Sequence, residues 1–223
     1  MHRINRLLAA LIALLIASCA IAQPAQPKAV SLIVFPGGFN WPIWVAQEKG
    51  LFAKNGIEAR LTPTVSSVFQ LTNLIDGKFD IAMTAIDNLI AYREGQGEEP
   101  VLGRYQGLVA GVRKSWADTH RAEVIAYIRA FSDAVEWLYD PANKDEALAV
   151  LLKNLPNLGP GGAQTAYGIL LSPRDGFQRK ARIDMEGVKT VLALRSKYGQ
   201  PRKSLSDPSP YYDPSFYDAA MKR

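Results

Sequence analysis

The chain has 223 residues, with 26 Lys and Arg against 21 Asp and Glu, a formal net charge of +5 at pH 7. One cysteine, Cys19, and two histidines, His2 and His120, exclude an internal disulfide, a cysteine-based metal site and a histidine cluster, and leave a Ser-His-Asp triad only His120 to be built around. The basic residues are scattered, with no long run and no interleaved aromatics, so the footprint of a nucleic-acid-binding protein is missing.

The chain opens with Met1-His2-Arg3-Ile4-Asn5-Arg6 and an apolar run from Leu7 to Ala17. A basic start and a short apolar stretch form an export signal, and the run is too short to span a bilayer as a mature helix. Two processing patterns compete. Ala20-Ile21-Ala22 before Gln23 is an A-x-A cleavage site, whereas Ile16-Ala17-Ser18-Cys19 resembles a lipoprotein signal in which Cys19 carries the lipid. A plain N-terminal anchor is the bland alternative. Residues 1–22 are read as the export signal and 23–28 as a short tether. With Arg3 and Arg6 in the signal, the mature chain is only mildly basic.

Ala29 to Phe35 is a near-continuous apolar run with β-branched residues, which predicts a strand buried on both faces. Pro36-Gly37-Gly38 ends it. A short helix is expected from Pro42, which suits a first helical turn, to a stop at Gly50. After the Asn55-Gly56 turn, Ile57, Ala59 and Leu61 alternate with Glu58, Arg60 and Thr62, predicting a half-exposed strand. Ser66-Ser67 can cap a helix carrying Val68, Leu71, Leu74 and Ile75, ended by Gly77. Phe79 to Thr84 reads as a third strand, and Asp87 as the cap of a helix through Glu94. Three strand–helix cycles with short links predict a parallel sheet.

The pattern breaks at Gly95 to Pro100, which is polar and turn-rich. Val101 to Val112 reads as a further strand interrupted by Gly103 and Gly107. Beyond it the chain is mostly helical. Ser115-Trp116-Ala117-Asp118 has the form of a capping box. Ile125, Ile128, Phe131, Val135 and Leu138 form the apolar stripe of a long helix ending near Asp140-Pro141. Further helices are expected over 143–154, 161–171, 184–198 and after Pro214.

Three blocks then stand in order behind the export signal: "NWPIWVAQEKGLFAKNGIE" (Asn40 to Glu58), "SSVFQLTNLIDGKFDIAMT" (Ser66 to Thr84) and "YQGLVAGVRKSWA" (Tyr105 to Ala117). Together they resemble the solute-binding proteins of ABC importers, in the nitrate/sulfonate/taurine and thiamine-precursor-like group. The resemblance covers residues 29–98 and resumes near 101, with "WLYDPANKDEAL" and "YYDPSFYDAA" as closing segments. It implies the α/β fold of type II periplasmic binding proteins: a mostly parallel sheet flanked by helices, followed here by a helical C-terminal half. Members have two lobes around a cleft. In this chain the text passes from the outbound segment, 29–98, to the returning one, 101–223, where a second lobe is expected. The reading is a single lobe over 29–223 that exposes surface a second lobe would shelter.

In open α/β sheets ligands sit beyond the carboxyl ends of the strands. The loops there make Asn40, Trp41, Pro42, Ser66, Ser67, Thr84 and Asp87 the candidate ligand residues. Trp41 either lines the cleft or fills core; Ser66 and Ser67 either bind or cap; Asp87 either pairs a ligand amine or caps its helix; His120 reads as a solvated surface residue. Converging helix N-termini favour a small anionic group such as a carboxylate, sulfonate or nitrate. The expected partners are a small-molecule ligand and the membrane permease of an importer, with no nucleic acid, cofactor, metal or catalysis, in an exported, periplasmic monomer. Two other classes remain open: a periplasmic module whose uncovered face recruits another protein, and a thiamine-pyrimidine synthase-like enzyme. The enzymes of that last kind use histidine and a cysteine-rich motif, against a chain with only His120 and Cys19.

Overall fold

Strand β1 (Lys28–Val34) sends Val30, Leu32 and Val34 to one side and Ile33 to the other, and all four are buried. That two-sided burial is why the strand reads as an unbroken apolar run. The computed structural model describes residues 26–96, 107–174 and 176–222. The export signal, Cys19, the first half of the tether, and the junction between the outbound and returning segments lie outside the described residues.

A 3-10 turn (Gly38–Asn40) leads from β1 into α1 (Trp41–Glu48), a short α2 (Leu51–Lys54) and β2 (Ile57–Pro63). Then come α3 (Ser67–Ile75), β3 (Ile81–Ala85) and α4 (Ile86–Glu94). The sheet order is β2-β1-β3-β4, with β1 parallel to both β2 and β3. The fourth strand, β4 (Leu108–Val112), joins antiparallel to β3, placing Ala85 opposite Leu108 and Ile81 opposite Val112. The first half of the strand expected at 101–112 lies outside the described residues.

Asp80, in the "GKFDIAM" block, staples the start of this sheet. Its Oδ2 accepts from Ser31 N (2.8 Å) and Ser31 Oγ (2.7 Å), while its own N–H donates to Ser31 O at 3.0 Å. An Asp–Ser pair at the entry of β3 therefore sets its register against β1.

The rest of the chain is α5 (Lys114–Thr119), α6 (Arg121–Tyr139), α7 (Lys144–Asn154), α8 (Gly159–Leu170), α9 (Met185–Tyr198) and α10 (Pro214–Met221). On one sheet face, Val30, Leu32, Ile81 and Met83 pack with Trp41 and Ile43 of α1, Tyr127, Ala130, Ala134 and Leu138 of α6, and Ala147 and Leu151 of α7. On the other, Ile33 and Ala82 meet Leu74 of α3, and Val109 meets Ile86 and Ile90 of α4 with Val188, Val191 and Leu192 of α9. Two covered faces are what a mostly parallel sheet requires.

Two local expectations are corrected. The box at Ser115–Asp118 does not form: α5 has Arg113 at its N-cap with no side-chain bond, and the Asp118 carboxylate is held by Lys114 Nζ at 2.7 Å. The buried side of α6 is not the Ile125–Ile128–Phe131 line but one running through Tyr127, Ala130, Ala134 and Leu138. Alanines at 130 and 134 let the helix axis approach the sheet and α1, and the larger Ile125, Ile128 and Phe131 remain half-buried at its flanks.

Candidate functional site

Connections leave β1 and β3 toward opposite sides of the sheet, so the carboxyl ends of those two strands border the crevice where α/β folds hold ligands. Two amide side chains close this seam. Gln70, in the first turn of α3, donates its Nε2 to Ile33 O (3.1 Å) and Met83 O (2.9 Å), tying β1 to β3 where the strands end. Asn40 donates Nδ2 to Phe35 O at 2.6 Å, the next carbonyl on the same edge of β1. Both residues are buried, and their own oxygens, Asn40 Oδ1 and Gln70 Oε1, meet no hydrogen-bond partner among the described residues.

The loop after β1 folds tightly. Gly37 has φ 151, and a side chain there would lie 2.6 Å from the Phe39 ring, so glycine is required. Trp41 follows and is fully buried: its indole Nε1 donates to Ala147 O at 3.0 Å, and its ring meets Tyr167 edge-on at 6.0 Å. Pro42 is buried in the first turn of α1. The core role weighed for Trp41 is the one it occupies here. The partly buried aromatic beside the loop is Phe39, which the sequence reading passed over.

The loop after β2 is exposed. Thr64 N donates to Val34 O at 2.8 Å, which carries the chain over the end of β1. Ser66 is the N-cap of α3, its Oγ accepting from Phe69 N at 3.2 Å, and Ser67 is the half-buried first residue of that helix. These hydroxyls sit at the positive end of a nine-residue helix with no acidic residue in its first turn. Around them, Val65, Val68 and Phe69 are 88 %, 60 % and 52 % exposed.

After β3, Thr84 is buried and its Oγ1 accepts from Asn88 Nδ2 at 3.2 Å. Asp87 lies in the first turn of α4 but does not cap it: its Oδ2 accepts from Arg195 Nη2 at 3.3 Å. Arg195 is fully buried, so this carboxylate neutralises a charge in the core. At the far end of α4, Glu94 accepts from Tyr211 (2.8 Å) and Lys203 (3.1 Å). Those two bonds hold the Glu94 carboxyl below the usual carboxylate range, and burial together with Glu94 pushes the Tyr211 phenol up to about 12.

The seven candidates therefore gather on one edge of the sheet but divide by exposure. Asn40, Trp41, Pro42 and Thr84 form the buried floor; Asp87 is half-buried and tied to Arg195; Ser66 is exposed and Ser67 half-exposed. Gln70 and Arg195 were missed, since a glutamine inside an apolar helix and an arginine 108 positions from its partner carry no local signal. His120 is exposed and stacks on Trp116 at 4.9 Å. No group of three or more potential metal ligands occurs among the described residues, nor any helix long and apolar enough to cross a membrane.

Residues 23–105 match the model of the NMT1-like family. No curated protein matches the sequence. Among solved structures, a protein from Bordetella bronchiseptica RB50 aligns with a TM-score of 0.70 at 12% identity, over 89% of this chain and 98% of that one. The ligand-binding component of an ABC-type import system from Staphylococcus aureus, with zinc bound, aligns at 0.66 and 8% identity, over 88% and 100%. A protein described as the periplasmic sulfonate-binding SsuA of a sulfonate ABC transporter in Methylobacillus flagellatus KT aligns at 0.57 and 11% identity, over 88% and 94%. At these identities the likeness establishes the fold: this chain has that of the periplasmic binding proteins.

Proposed function

We propose that an NMT1-like segment on a periplasmic-binding-protein fold makes this chain an exported, non-enzymatic solute-binding protein of an ABC importer, with a small anionic nutrient as its ligand. The observation that carries this reading is the exposed first turn of α3, with Ser66 and Ser67 at the carboxyl-terminal edge of the sheet and no acidic side chain beside them. A helix N-terminus offers unpaired amide donors and partial positive charge, which favour a carboxylate, sulfonate or nitrate. In this reading Asn40, Trp41, Pro42, Thr84 and Asp87 hold the neighbouring loops in place at the same edge of the sheet. One lobe supplies one wall of a pocket, so affinity is weak, in the roughly millimolar range that corresponds to about −4 kcal/mol.

Thermal stabilisation by ethanesulfonate, taurine, nitrate and acetate tests this, with chloride as the control anion. Ser66→Asp is the informative variant: aspartate caps a helix as well as serine does but places a negative charge where the anion binds. The expected result is stabilisation of the wild type by at least one of these anions, lost in Ser66→Asp while its far-UV spectrum is unchanged. Equal stabilisation of both proteins would exclude the first turn of α3 as the anion site.

A further inference from the structure

Strand β4 ends the sheet, with β3 on one side and no strand on the other among the described residues. Two bonds fix which of its backbone groups face outward. Ile86 N donates to Gly107 O at 3.0 Å, so these opposed residues are a bonded pair. Bonded and non-bonded pairs alternate along an antiparallel ladder, which makes Met83 with Ala110, and Ile81 with Val112, non-bonded pairs. In agreement, Met83 O accepts from Gln70 on the side of β1. Ala110, an exposed residue, and Val112 therefore turn their N–H and C=O groups away from β3.

A cavity of about 1810 Å³ runs along this edge, lined by every residue from Gly107 to Val112. It reaches both faces of the sheet. Leu74 of α3 and Leu89 of α4 wall one side, and Phe131 of α6 and Phe177 the other. Its charge is unbalanced, with five Arg or Lys side chains against two Asp. Both aspartates already cap helices, Asp184 accepting from Glu186 N at 3.1 Å and Asp213 from Ser215 N at 2.9 Å. On the cationic side, Arg113 Nε is buried with no hydrogen-bond partner among the described residues.

We propose that the edge of β4 takes an extended, acidic segment of a partner protein as an added strand. An extended chain answers outward amides and carbonyls along a strand, and it sends alternate side chains to the two apolar walls. The excess of cations sets the sign of the charge that flanks it. The same excess argues against a second copy of this chain, because pairing β4 with β4 would bring two basic grooves together. The site stands on β4 and does not depend on the anion reading at the first turn of α3.

Fluorescence anisotropy with labelled synthetic peptides tests it on the full chain. The probe is a short extended peptide of Val and Thr flanked by Glu. One control peptide carries Lys in place of Glu, and another is N-methylated at alternate amides. Ala110→Pro removes an outward N–H and no bond to β3, which an edge strand tolerates, whereas Ala110→Thr keeps that N–H in a residue suited to a strand. The expected result is saturable binding of the Glu-flanked peptide to the wild type and to Ala110→Thr. Binding is expected to be at least tenfold weaker for Ala110→Pro with an unchanged far-UV spectrum, and for both control peptides on the wild type. The control peptides test the proposal even where Ala110→Pro does not fold. No saturable binding up to millimolar peptide overturns it. Equal binding of the N-methylated peptide overturns pairing through the strand edge, and equal binding of the Lys-flanked peptide overturns the acidic partner.

Discussion

Gln70 bonds with one side-chain nitrogen to carbonyls of two different strands, Ile33 and Met83, at the point where those strands stop bonding each other. Its replacement by Leu conserves volume but strands both carbonyls in a dry environment, at a cost of about 1–3 kcal/mol in chemical denaturation. Asp87 opposes the buried Arg195 guanidinium, and Asp87→Ala is expected to cost on the order of 3 kcal/mol, because it leaves that charge without its carboxylate. Glu94 gives a pH signature. Its folded pKa is lowered from an ordinary value near 4.5, so its contribution is complete above that value and is lost as pH falls through the folded one. Glu94→Gln is expected to flatten the acid limb of a thermal-midpoint-against-pH curve below about pH 4.5, relative to the wild type. At this scale the sequence showed where the candidate residues lie along the chain but not which ones face solvent. Trp41 is buried by Ala147, 106 positions away, and Asp87 is claimed by Arg195. Partners at that separation are decided by the tertiary fold, and no local pattern announces them.

Among the elements, α6 shows how a stripe can be misassigned in part. Large apolar residues at 125, 128, 131, 135 and 138 satisfy a helical period, and Val135 and Leu138 are fully buried, yet Ile125, Ile128 and Phe131 are displaced to the flank by the side with alanines at 130 and 134, both fully buried. Close approach of backbones selects small residues, which a hydrophobic pattern scores weakly. Ala130→Leu is accordingly expected to destabilise by about 1–3 kcal/mol through overpacking. The N-terminus of α3 was legible, since Ser66 caps it through Phe69 N. The box at Ser115–Asp118 was not borne out, because Lys114 binds Asp118 and Arg113 occupies the cap position. The three parallel strands were readable from alternating strand and helix patterns. The antiparallel direction of β4 was not, because a five-residue apolar strand carries no mark of its polarity.

For the molecule as a whole, the sheet order β2-β1-β3-β4 turns the carboxyl ends of β1, β2 and β3 toward a single edge. An exported binding protein of this fold would present its ligand site there. The fold class was readable because apolar periodicity and turn residues repeat with a fixed cycle. The candidate site is placed by sequence only as a set of loops, since exposure within each loop depends on what packs behind it. Amide-resolved NMR during titration with ethanesulfonate shows directly whether an anion seats at the first turn of α3. Saturable shifts confined to Thr64–Phe69 and Gly37–Asn40, and absent in Ser66→Asp, are the expected result. Saturable shifts elsewhere on the molecule, or none in these two loops with any of the four anions, would contradict it.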